Sequence, residues 1–174
     1  MSYFPFKKDV ARAAAIYFAN SEGGSINKLK LLKLMYIVER ISLLEAESPI
    51  FGGRYCSLPR GPIISEVLDA LNHDEWEGLH KSDSNQIHAK SGIKVPVEYL
   101  SQWANNVIER VYLEFGAWDA NQVSEYTHTE FPEWKRPNDS DRGAPIKISD
   151  ILPDAGPELE SLADELSYLD SLAK

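Results

Sequence analysis

A single cysteine, Cys56, stands in 174 residues, so the chain has neither a disulfide framework nor a CxxC zinc or redox motif. That usage is expected of a reducing cytoplasm. Positive charge is also scarce: 18 Lys+Arg against 27 Asp+Glu leave a net charge of -9 and a pI near 4.9. A surface that meets a phosphate backbone at physiological salt needs clustered cations, so no direct nucleic-acid partner is expected. No run approaches the ~18 uncharged apolar residues of a membrane span. The start, Met-Ser-Tyr-Phe-Pro-Phe-Lys-Lys, carries its charges after its apolar patch, unlike a secretory signal, and it makes the Asn138-Asp-Ser140 acceptor triplet irrelevant. A cytoplasmic protein without membrane association is the expectation. Motifs with defined catalytic mechanics are missing too: there is no Gly-rich phosphate loop, no HExxH and no GxSxG. No enzymatic activity, cofactor or metal site is therefore expected.

What is present suffices for a core, since 43% of residues are hydrophobic and 10% aromatic. The spacing predicts a mainly α-helical fold, a compact helical domain around a central apolar helix with a small β-hairpin and an acidic C-terminal helix. A first helix is expected over 9–20, capped by Asp9. The central helix is expected over 26–45, where Leu29, Leu32, Met35, Tyr36, Ile41 and Leu44 are joined by Leu31, Leu34, Ile37, Val38 and Leu43. Its cations Lys30, Lys33 and Arg40 fall at i, i+3 and i+10 on one line. They read either as a solvated stripe or as a strip that receives carboxylates from a partner or from the acidic tail.

Residues 49–62 are rich in Gly, Pro and aromatics and read as irregular or partly extended, with Arg54 and Arg60 as surface groups. Gly61-Pro62 is expected to open a helix to about Leu71. Residues 86–97 suggest a hairpin turning at Ser91-Gly92, and a long amphipathic helix is expected from Pro96 to Gly116 with Val97, Leu100, Ala104, Val107, Val111 and Phe115 inward. Asp119 and Gln122 mark another helix start. Trp76, Trp103, Trp118 and Trp134 read as core anchors. The chain then divides into a domain over 1–137, a Pro/Asp-rich linker over 138–156 and an acidic amphipathic helix over 157–174, whose Leu159, Leu162, Leu166 and Leu169 share one face. Nine acids against three cations give residues 138–174 a net charge of -6, two-thirds of the total.

Titratable side chains offer little chemistry. His73, His80, His88 and His128 fall in different expected elements. His73 and His80 with Asp74, Glu75 and Glu77 form a weak metal candidate at most. His128 reads either as a helix-terminal side chain bonded to backbone carbonyls or as a general base oriented by Glu130.

Three segments in order carry a resemblance. Leu29-Lys-Leu-Leu-Lys33-Leu34-Met35-Tyr36 resembles a KLqKLLY helix, Phe51-Gly-Gly-Arg-Tyr55-Cys-Ser-Leu-Pro-Arg60-Gly61-Pro62-Ile63 resembles a segment leading into GPV, and Tyr126-Thr127-His128-Thr-Glu130-Phe-Pro132-Glu-Trp134 resembles a terminal TH…PW motif. Together they are similar to the Panacea domain, also called the SocA-like antitoxin domain, of bacterial and phage toxin–antitoxin proteins. The resemblance spans about Asp9 to Trp134. Met35, Arg60 and Ile63 depart from the usual pattern, Arg60 standing where an aromatic or His often precedes Gly-Pro.

The resemblance implies a mainly helical antitoxin that neutralises a cognate toxin by direct protein–protein contact, with an adaptor that delivers the toxin to an AAA+ protease as the alternative. Leu34, Tyr36, Gly61, Pro62, Thr127 and Trp134 would be its structural motif residues. Candidate partner-binding residues are Lys30, Lys33, Arg40, Arg60, His128 and Glu130, together with the tail leucines Leu159, Leu162, Leu166 and Leu169. The tail helix would either bind the partner or pack on its own domain. A third reading has His128 and Glu130 reverse the toxin's chemistry. The toxin's identity and the oligomeric state stay open.

Overall fold

The computed structural model describes residues 2–138 and 143–173, and helices account for 54% of it. Asp139, Asp141, Arg142 and Lys174, which enter the tail's charge, and Ser140 of the acceptor triplet lie outside the described residues.

Helix α1 (Lys8–Ser21) leads through strand β1 (Ser25–Asn27) into helix α2 (Lys28–Ala46). Asp9 lies in the first turn of α1 and does not cap it. Asn27 caps α2, its side chain accepting from the Leu29 and Lys30 amides. Twelve residues of α2 are buried, around the whole helix, and it contacts α1, α3, α4, α5, α6, β1 and β3. A helix with apolar residues on every side must be covered on every side.

Strands β2 (Tyr55–Leu58) and β3 (Gly61–Ile64) form a hairpin, and helix α3 spans Ser65–Asn72. Gly61-Pro62 therefore starts a strand instead of the expected helix. Gly61 sits at φ +109° at the turn exit and pairs with Leu58. Pro62, which has no N–H to donate, lies on an edge strand.

The second correction concerns the hairpin expected over 86–97. Strand β5 (Gln86–Ala89) pairs with β4 (Leu79–Lys81) and with β1, so both its edges are filled. Nothing remains for residues 93–97 to pair with, and Pro96 could not contribute a ladder N–H.

Residues Val97–Tyr99 make a separate 3-10 turn, and helix α4 runs Gln102–Phe115, capped by Ser101. The helix thus starts six residues later than the expected Pro96, and Val97 is 63% exposed instead of inward. Helix α5 (Ala120–Glu130) opens on the Asp119/Gln122 capping box.

The stretch read as a linker contains strand β6 (Ala144–Ile146), which pairs with β2, and the short helix α6 (Ile148–Ile151). Ile146, Ile148 and Ile151 are buried. Two prolines and several acids disguised this segment, yet three isoleucines in six residues are enough to hold it against the core. Helix α7 (Gly156–Leu172) follows and packs mainly on α6. Gly156 lies where α7 crosses Ser149, with no room for a Cβ.

Candidate functional site

The three sequence motifs meet along one face of α2. Lys33, which is 1% exposed, donates from Nζ to the Pro62 carbonyl at 2.9 Å. Gly61 passes directly beneath α5: a Cβ there would stand 2.6 Å from Thr127 Oγ1 and 3.0 Å from Lys33 Nζ. Thr127 is fully buried and donates to the Ser124 carbonyl, and Ser124 Oγ donates to the Arg60 carbonyl at 2.7 Å. Trp134 Nε1 closes the junction on the Leu58 carbonyl at 2.9 Å. Leu34 is buried on the same helix. Lys33, Gly61, Pro62, Thr127 and Trp134 thus meet at one junction, which explains why a glycine, a proline and a threonine far apart in sequence occur together.

The basic line on α2 is neither solvated nor occupied by the tail. Lys30 Nζ pairs with Glu22 and donates to the Gly116 carbonyl at 2.8 Å. Arg40 donates to both oxygens of Glu133, at 2.7 and 3.3 Å, and its guanidinium lies 4.2 Å above the Phe131 ring. Tyr36 OH donates to the same buried carboxylate at 3.2 Å. The carboxylates that the strip receives come from Glu22 and Glu133 of the domain itself, and Lys33 receives none. Burial, reinforced by the charge of Arg60, lowers the Lys33 ammonium to about 7.

Two acids that composition alone would place on the surface are structural. Glu39, 1% exposed, accepts the amides of Ile50, Phe51 and Gly52 at 2.8–2.9 Å and the Tyr55 hydroxyl at 2.7 Å. Burial raises its carboxyl above the ordinary range against the pull of those four donors. Burial also pushes the phenols of Tyr36 and Tyr55 well up, with Glu133 and Glu39 adding to it respectively. The signal for Glu39 was its place in a helix apolar on all sides, where any polar residue must find partners inside. Glu133 gave no such signal.

His128 stacks face-on against Trp134, ring centroids 4.0 Å apart and planes 11° from parallel. Its nearest acid is Glu125, 3.6 Å from Nδ1, and not the expected Glu130, which is exposed. Neither the backbone-bonded reading nor the Glu130-oriented base describes it. Among the tryptophans, Trp76 is buried, Trp118 and Trp134 are partly buried, and Trp103 is 36% exposed with its N–H on Ser42. Among the described residues no group of three His, Cys, Asp or Glu could hold a metal ion, and no helix is long and apolar enough to cross a membrane. Cys56 is half-buried, and burial raises its thiol.

Beside the junction lies an open groove of about 890 Å³, bordered by Lys28, Lys30, Arg60, Asn85, Trp118 and Asn121. Arg60, which is exposed, holds Asn121 Oδ1 at 2.6 Å on its rim. The tail leucines lie elsewhere, on α7. Leu159 packs partly against the core, while Leu162, Leu166 and Leu169 are 45%, 38% and 53% exposed.

The family model described as "Antitoxin SocA-like, Panacea domain" matches residues 31–135, which encloses the second and third motifs, the first from Leu31 onward, and the whole junction. No curated protein and no solved structure matches the chain.

Proposed function

The chain belongs to the SocA-like antitoxin family, Panacea domain, and from that membership we propose that it neutralises a cognate toxin by direct protein–protein contact. The family match carries the reading. The junction supports it: the matched motifs are spent on holding α2, β3 and α5 together, which makes a rigid scaffold whose exposed surfaces are free to recognise a partner. His128 stacks on Trp134 and has Glu125 beside it instead of the expected Glu130, which supports a reading by contact over one by chemistry. A net charge of -9 favours steered association with a basic partner surface.

The test is co-expression of the neighbouring reading frame's product with and without this chain, followed by affinity purification. Growth rescue with both proteins recovered in one complex is expected. Rescue accompanied by disappearance of the neighbour, reversed in a protease-deficient strain, would replace steric neutralisation with proteolytic delivery. Rescue that His128→Ala abolishes while the fold is retained would establish chemistry instead.

A further inference from the structure

Helix α7 lies outside the matched residues 31–135 and presents an apolar band left largely open among the described residues. Leu162, Leu166 and Leu169 stand at i, i+4 and i+7, 38–53% exposed, and Leu172, 66% exposed, lies beyond them on the far side of Glu158 and Glu165. Three large side chains in one stripe exceed the scattered apolar exposure of an ordinary surface. The helix does not need this face for its own attachment. Its opposite flank is anchored by buried Gly156 and Ala163, by Glu160 accepting the Ser149 amide at 2.8 Å, by Asp164 accepting from Ser2 Oγ, and by Ser167 donating to the Tyr3 carbonyl.

Charge selects the occupant. Helix α7 carries five acids (Glu158, Glu160, Asp164, Glu165, Asp170) and no Lys or Arg. At 100° per residue, Glu158 and Glu165 fall together along one edge of the leucine band, and neither has a cation or hydrogen-bond donor among the described residues. The α2 cations are already engaged, Lys28 with Asn72 and Lys30, Lys33 and Arg40 inside the domain. A second copy of the same face would bring its own acids against these, which repels. The geometry points to a partner helix with an apolar stripe flanked by Lys or Arg, packed lengthwise on α7, with the leucines as anchors and Glu158 and Glu165 as rim charges. Resting on the toxin-binding reading, this assigns the contact to α7 and a basic amphipathic helix to the toxin.

The probe is a labelled synthetic helix with leucines at i, i+4 and i+7 flanked by lysines, titrated against the full chain by fluorescence anisotropy, with a glutamate-flanked counterpart as control. The lysine peptide should bind and the counterpart should not. Replacing Leu162, Leu166 and Leu169 together with Ser should weaken binding at least about tenfold, and E158K/E165K, which leaves the apolar band intact, should reverse the preference between the two peptides. Equal binding of both peptides, or unchanged binding by either variant with an unchanged circular dichroism spectrum, overturns the assignment. So does concentration-dependent dimerisation that the leucine variant abolishes. Toxin rescue that survives E158K/E165K removes α7 from the contact and leaves the toxin-binding reading standing. Peptide binding that behaves as expected in a chain that rescues no toxin does the reverse.

Discussion

Helices α2 and α7 are both leucine-rich and both carry a row of like charges, yet they stand at opposite ends of the molecule's economy of burial. Twelve of 19 residues of α2 are buried, against two of 17 in α7. The cations of α2 are met by Glu22, Glu133 and backbone carbonyls, whereas Glu158 and Glu165 of α7 meet no cation or donor among the described residues. The lesson is that a row of charge marks a binding surface only when the fold leaves it unanswered. Apolar residues on all sides force a helix inside, and its charges then become internal fasteners. A helix with one apolar flank buried can afford to leave the next flank open.

The sharpest way to break this contrast is to remove a fastener from α2. Glu39→Ala leaves three amides and a phenol without an acceptor in the core and should cost about 4 kcal/mol in urea unfolding. Glu133→Ala strands Arg40 and the Tyr36 hydroxyl and should cost about 3 kcal/mol. Gly61→Ala forces a Cβ against Thr127 and Lys33 at a positive φ and should cost about 2 kcal/mol.

A pH series sharpens the comparison further. Unfolded Lys33 binds its proton near 10.5, but the folded side chain does so only at about 7. Between these values the unfolded state holds the extra proton, so its penalty is full below pH 7 and fades as pH rises. Stability should therefore rise from pH 7 to 9 by up to about 1.4 kcal/mol per pH unit, and Lys33→Met should flatten the rise. At the other extreme, serine at Leu162, Leu166 and Leu169 together should shift the unfolding midpoint by less than about 1 kcal/mol. A loss comparable to that of Glu39→Ala would mean that the α7 band is core after all, and the contrast would collapse.

The sequence made α2 legible because its apolar pattern is redundant over five turns, and the Asp119/Gln122 box because two side chains state it locally. The three motifs were legible only as a resemblance: nothing in their spacing says that Lys33 bonds Pro62 or that Thr127 roofs Gly61, since those contacts depend on how α2, β3 and α5 cross. The cations of α2 were misjudged for a related reason. Periodicity places Lys30, Lys33 and Arg40 on one face but does not say that α5 and Glu133 will cover it. Gly61-Pro62 misled because proline suits a helix start and an edge strand equally well. The hairpin at 86–97 failed because strand pairing is a competition, and β1 and β4 had already taken both sides of β5.

Strand β6 is also a cover. It supplies the outer rung of the β3-β2-β6 sheet, and the backbone at Gly143 closes over the thiol of Cys56. Cutting the chain after residue 137, just past the end of the family match at 135, would turn β2 into a bare sheet edge and uncover the molecule's one thiol beside it. Such a fragment would be prone to strand-to-strand aggregation and to cross-linking between chains. A shortened protein that keeps β6 and α6 and ends near residue 155 retains the cover, and is the form in which the helical scaffold can be handled without its acidic arm.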